Sequence, residues 1–120
     1  MQCYNNMEWS FDPGSFQIQG TAPKNTVGLF RQNVTLVCHF PGSPAIEWYT
    51  PDRLSISFNH VIYDARYHLE GDFNSQEYNL VISFVTEQDG MRYGCRVTDD
   101  TLSPAKRHEY WAELIILGKI

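Results

Sequence analysis

The side chains able to do chemistry are scattered through this chain of 120 residues. His39, His60, His68 and His108 lie far apart, and no His-x-x-x-His or Cys-x-x-Cys spacing gathers ligands for a metal ion. No group of carboxylates sets a general acid beside a base, and no Gly-rich loop is built to cradle phosphate. Strand alternation directs His39 away from its neighbour Cys38, so the imidazole is not placed to activate that thiol. The expectation is a chain without catalytic residues, metal ligands or cofactors, acting on no small-molecule substrate. A hydrolytic or metal enzyme is the weakest of three readings. Chemistry is left to the three cysteines and function to surfaces.

The elements that carry those surfaces follow from composition and pattern. With 42% hydrophobic and 14% aromatic residues, the chain is long enough for one core and too short for two. The formal charge of −5, without a run of Lys or Arg, removes the electrostatic footprint of a nucleic-acid binder. The apolar stretch Leu114 to Leu117 is far short of the roughly 20 residues of a membrane span. Met1 to Asn6 lack a basic region followed by an apolar one, so no signal peptide is expected within the chain.

Apolar residues alternate with a period of two, and no window of helical spacing escapes interruption by a turn residue. Strands are expected at Phe16 to Gln19, Val27 to Leu29, Val34 to Phe40, Ala45 to Tyr49, Leu54 to Phe58, Val61 to Tyr63, Tyr67 to Leu69, Tyr78 to Phe84, Arg92 to Thr98 and His108 to Leu117. Between them, Pro41-Gly42-Ser43-Pro44, Pro51-Asp52, Gly71 to Ser75 and Asp89-Gly90 supply turn chemistry. The pattern is all-β and suggests a two-sheet sandwich, with residues 1–15 a loose leader and 16–120 the domain.

Val34, Leu36 and Cys38 alternate toward one face, Trp48 follows in Ile46-Glu47-Trp48-Tyr49, and Tyr93 precedes Cys95 by two residues in Asp89-Gly90-Met91-Arg92-Tyr93-Gly94-Cys95. In order and spacing Cys38, Trp48, Leu80, Asp89, Tyr93 and Cys95 resemble the immunoglobulin V-set pattern over about Val27 to Leu117. The resemblance implies a V-type Greek-key sandwich in which Cys38 and Cys95 bridge the sheets beneath the Trp48 indole. It implies a Tyr93 hydroxyl bonded back to nearby backbone, and a structural pair between Arg66 and Asp89. A bridge of this kind belongs to an oxidising, extracellular setting, in a secreted protein or the ectodomain of a membrane protein. The last strand, Tyr110-Trp111-Ala112-Glu113-Leu114-Ile115-Ile116-Leu117, lacks the Phe-Gly-x-Gly bulge of rearranged receptors. Arg66 to Asp72 and Glu77 to Ile82 resemble the first domain of nephrin-like adhesion proteins (the Neph, Kirre and Roughest group), and the chain is also similar to invertebrate variable-region proteins.

Such domains commonly pair through one sheet. If Trp48, Tyr93 and Cys95 face inward, Glu47, Tyr49, Arg92, Gly94, Arg96 and Thr98 face outward. On the last strand, Trp111, Glu113 and Ile115 fall on the outer side, with Ala112, Leu114 and Ile116 in the core. Glu47, Tyr49, Arg96, Trp111 and Glu113 thus form a candidate docking face rich in hot-spot residue types, which Ser55, Ser57, Asn59 and His60 could extend. The expected partner is another immunoglobulin-like domain, a second copy or a different cell-surface protein, in adhesion. The alternative is an immune-type receptor that binds ligand through the loop from Asp99 to Arg107, with Thr101, Leu102 and Lys106 as contacts. Asn33-Val34-Thr35 is an acceptor for N-linked glycan. Cys3 is left over, a free thiol or a bridge to another chain.

Overall fold

In this computed structural model the described residues are 18–118. The proposed leader at 1–15, with Cys3, and the start of the strand expected at Phe16 lie outside them. Among the described residues nine strands follow one another: β1 Thr26–Leu29, β2 Val34–Leu36, β3 Ile46–Tyr49, β4 Ser55–Phe58, β5 Val61–Ile62, β6 Tyr67–Glu70, β7 Asn79–Ile82, β8 Arg92–Asp99 and β9 Lys106–Leu117. Short 3-10 turns occupy Phe73–Ser75 and Glu87–Asp89.

Six strands form one sheet in the order β1-β9-β8-β3-β4-β5, and three form the other in the order β2-β7-β6. The first strand runs parallel to the last, with Val27 opposite Ile115 and Leu29 opposite Leu117. After β1 the chain crosses to the opposite sheet. The sheets close on Leu36, Cys38, Ile46, Trp48, Ile56, Leu80, Ile82, Val85, Tyr93, Cys95, Val97 and Leu114, all nearly inaccessible to solvent. This apolar burial is the main force joining two sheets that share no backbone ladder.

The sequence boundaries shift where side chains take over backbone bonds. The strand expected from Val34 to Phe40 stops at Leu36: the Cys38 amide donates to Asn79 Oδ1 at 3.3 Å, and His39 makes single bridges to Thr21 and Glu77. The strand expected to reach Phe84 ends at Ile82, and Phe84 takes a left-handed φ of 54°. In the other direction, the β8–β9 hairpin is longer than expected, with Asp99 paired to Lys106. Lys106 is therefore a strand residue, and the hypervariable-like loop shrinks to 100–105.

Candidate functional site

The frame that carries the site is a chain of buried contacts. Cys38 and Cys95 are joined by a 2.04 Å S–S bond across a sequence separation of 57. A loop of that length gives a cross-link worth roughly 4 kcal/mol by the chain-entropy argument. Trp48 is fully buried, and its Nε1 donates to the Tyr78 carbonyl at 2.6 Å. At the end of the sandwich the Tyr93 hydroxyl donates to the Asp89 carbonyl at 2.8 Å. The Asp89 carboxylate accepts from Arg66 Nη2 at 2.6 Å and from the Thr86 amide at 2.8 Å. Leu80 is fully buried between β2 and β6, opposite Leu36 and Leu69.

On the outer side of the six-stranded sheet, side chains from three strands and one turn meet. Tyr49 on β3 and Trp111 on β9 both lie opposite Gly94 on β8. A Cβ at Gly94 would fall 2.9 Å from Tyr49 Cζ and 3.0 Å from the Trp111 ring, so the glycine is what lets the rings close over the strand. They meet edge to face at 5.1 Å between centroids. Arg92 covers the Trp111 ring at 4.4 Å, and Arg96 covers the Tyr49 ring at 4.6 Å. Arg96 then forks, Nη1 donating to Glu47 Oε1 and Nη2 to Glu109 Oε2, both at 3.2 Å. Arg53 reaches Glu109 Oε2 at 2.8 Å. That reach comes from the β3–β4 turn, where Arg53 adopts a left-handed φ of 70° while its amide donates to the Thr50 carbonyl at 2.9 Å.

Register aligns a second row beside this cluster. Val61, Phe58, Glu47, Arg96 and Glu109 stand opposite one another across five strands. Phe58 keeps 43% of its surface exposed. Together with Ala45, Glu47, Arg96, Thr98 and Arg107 it lines a shallow hollow of about 270 Å³.

The electrostatics reflect partial burial. Tyr49 is only 1% exposed, and its hydroxyl sits beside Glu109 and Arg96 without a well-aligned hydrogen bond. Burial, reinforced by Glu109 and opposed by Arg96, pushes the phenol up to about 12. Glu109 is held below the usual carboxylate range by the Tyr49 hydroxyl and by Arg53 and Arg96.

Solved structures share this fold. The first domain of Duf (Kirre) superposes with a TM-score of 0.70 at 20% identity, over 86% of this chain and 99% of that one. Rst D1-D2 gives 0.69 at 24% identity, over 83% of this chain and 49% of that one. Tim-1 gives 0.68 at 19% identity, over 83% and 97%. The chain has the V-type immunoglobulin fold. No protein-family model matches it, and no curated protein does.

In the strand names of that fold, β9, β8, β3 and β4 are G, F, C and C′. Glu47, Tyr49, Arg96 and Trp111 come together on their outer side, while Glu113 stands apart, opposite Arg92. Two expectations need correction. Tyr49 lies on the outer side, but the Trp111 and Arg96 groups above it remove it from solvent, so it supports the face from beneath. The Trp111 indole, expected to be exposed, is half-buried against Gly94 and Arg92. Nor do Ser57 and Asn59 extend the face. A bulge between Trp48 and Tyr49 turns Ser57 into the interior, and Asn59 folds back, accepting from the Ile46 amide at 2.9 Å.

Arg53, Glu109, Phe58 and the spacing role of Gly94 escaped the sequence reading. Glu109 had a signal, two residues before Trp111 on the same side of its strand, and so did Gly94, a glycine inside a strand. Arg53 had none, since its reach depends on one turn. Of the loop candidates, Thr101 is tied down, the buried Asp99 carboxylate accepting from its amide at 2.9 Å and from its hydroxyl, and Leu102 is half-buried. Asn33 is exposed at the start of β2. The histidines stay apart, His39 beside Ser75 and His68 beside Glu70.

Proposed function

We infer that this chain is an extracellular recognition domain that pairs, through the outer face of its GFCC′ sheet, with another immunoglobulin-like domain in cell adhesion. The observation that carries the reading is the cluster of Tyr49, Trp111, Arg92 and Arg96 held over Gly94. A half-buried Trp roofed by Arg, with Phe58 exposed beside it, is the composition of an interface hot spot. The Glu47, Arg96 and Glu109 ion pairs around it have the mixed charge of a polar rim. Residues already fixed by one another lose little side-chain entropy on docking.

Fold alone does not choose a partner. Among domains similar to this one, Dpr1 IG1 was solved bound to DIP-eta IG1, and Tim-4 was solved in complex with phosphatidylserine. What favours a protein surface here is breadth: the row from Val61 through Phe58, Glu47 and Arg96 to Glu109 crosses five strands. The bonds from Thr101 to the Asp99 carboxylate weigh against the loop reading.

Sedimentation of the secreted domain over a range of concentrations tests this directly. A dimer lost on Trp111→Ala and on Arg96→Glu, both variants remaining disulfide-bonded and cooperatively folded, supports pairing through the face with a second copy. For pairing with a different protein, binding to cell surfaces must show the same loss. Binding that survives both changes and disappears when Thr101, Leu102 and Lys106 are replaced overturns the reading in favour of the loops.

A further inference from the structure

We propose that Asn33 is an N-glycosylation site whose first sugar shields an apolar patch at the end of the sheet opposite the docking face. Of the asparagines in the chain, Asn33 alone is followed by the x-Ser/Thr pattern, in Asn33-Val34-Thr35. The structure gives this tripeptide the right facing. Val34 turns into the core, while Asn33 and Thr35 on either side of it are exposed. The two amide atoms of Asn33 are differently occupied. Oδ1 accepts from the Phe84 amide at 3.1 Å, which fixes the plane of the group. Nδ2 has no hydrogen-bond partner among the described residues and stands free to carry a substituent.

The donor is a lipid-pyrophosphate-linked oligosaccharide. The Nδ2–C1 bond forms as the C1–O bond to pyrophosphate breaks, Nδ2 gives up one proton, and the lipid pyrophosphate leaves. Thr35 is paired with Val81 once the sheet has formed, so transfer takes place on the chain before β2 closes on β7.

The surroundings suggest what the sugar does. Phe84 is 58% exposed, an aromatic ring held at a left-handed φ by the same backbone that binds Asn33. Arg31 lies over Phe84 at 5.7 Å and over Phe30 at 5.2 Å, making a small apolar and cationic patch beside the acceptor. A pyranose ring has one apolar face that suits such a surface. The glycan then leaves from the end of the three-stranded sheet, clear of the GFCC′ face, and the inference holds whether or not that face docks.

The test is the intact mass of the full chain secreted from eukaryotic cells, before and after peptide N-glycosidase. The wild type and Thr35→Ser should each carry one glycan; Asn33→Gln and Thr35→Ala should carry none, with the Cys38–Cys95 bond formed in all four. An unmodified wild type containing that bond overturns the site, as does a glycan that survives Asn33→Gln. Enzymatic removal of the glycan from the folded protein should raise the fluorescence of a hydrophobic dye, and Phe84→Ala should abolish the rise. No rise in the wild type overturns the shielding role.

Discussion

Two arginine–carboxylate groups sit on this sandwich, built from the same chemistry and finished differently. At the end of the domain, Arg66 meets an Asp89 carboxylate whose side chain is 9% exposed and whose oxygen is also bonded to the Thr86 amide. The Tyr93 hydroxyl donates to the backbone carbonyl of the same residue, so Asp89 is held through its side chain and its main chain together. On the GFCC′ face, Arg96 divides itself between Glu47 and Glu109, and the group remains open to solvent above. The first closes the fold on itself. The second is bonded within itself and keeps its carboxylates partly open to solvent. What separates the two groups is the carboxylate, 9% exposed at Asp89 against 22% at Glu47 and 35% at Glu109, and not the arginine, since Arg66 is 36% exposed and Arg96 25%.

The sharpest way to break that contrast is Asp89→Ala, which leaves the Thr86 amide without its acceptor and a partly exposed Arg66 without its partner, and should cost about 2–3 kcal/mol in urea unfolding. Glu47→Ala on the open face should stay within about 1 kcal/mol. Gly94→Val should come next, at about 2 kcal/mol, because its side chain drives into Tyr49 and Trp111. It should also abolish pairing in the sedimentation assay. Tyr93→Phe removes one buried hydrogen bond and should cost about 1 kcal/mol, with pairing unchanged.

The smallest effect is a pH dependence. The Tyr49 phenol is raised in the folded state above its ordinary value near 10, so its contribution is complete below pH 10 and is lost between pH 10 and about 12. Tyr67, Tyr78, Tyr93 and Tyr110 are raised in the same direction, burial being the first cause in each. Unfolding measured from pH 9 to 12 should therefore show stability falling above pH 10, and Tyr49→Phe should make that fall shallower. An unchanged slope would place the Tyr49 hydroxyl in water.

The contrast also marks what a sequence makes legible. Cys38, Trp48, Tyr93 and Cys95 occupy a core where residue type and spacing leave one solution, and the frame could be read from them before any coordinates. Alternation also put Glu47, Arg96 and Trp111 on the right side of their strands. It could not say how deep they lie. The depth of Tyr49 is set by Trp111 and Arg96 folding over it, contacts between residues far apart in the chain. One bulge beside Tyr49 sent Ser57 inward and left Phe58 outward, and one left-handed residue brought Arg53 to Glu109. These are tertiary decisions, invisible to a period-two count.

Gly94 has a further consequence, for relief. By withholding a single carbon at the middle of its strand it lets the indole recline where it would otherwise stand as a ridge. If the face docks as proposed, the choice of partner falls to the pattern of charge and ring faces laid across it, which a single substitution can change while the sandwich of strands beneath stays as it was.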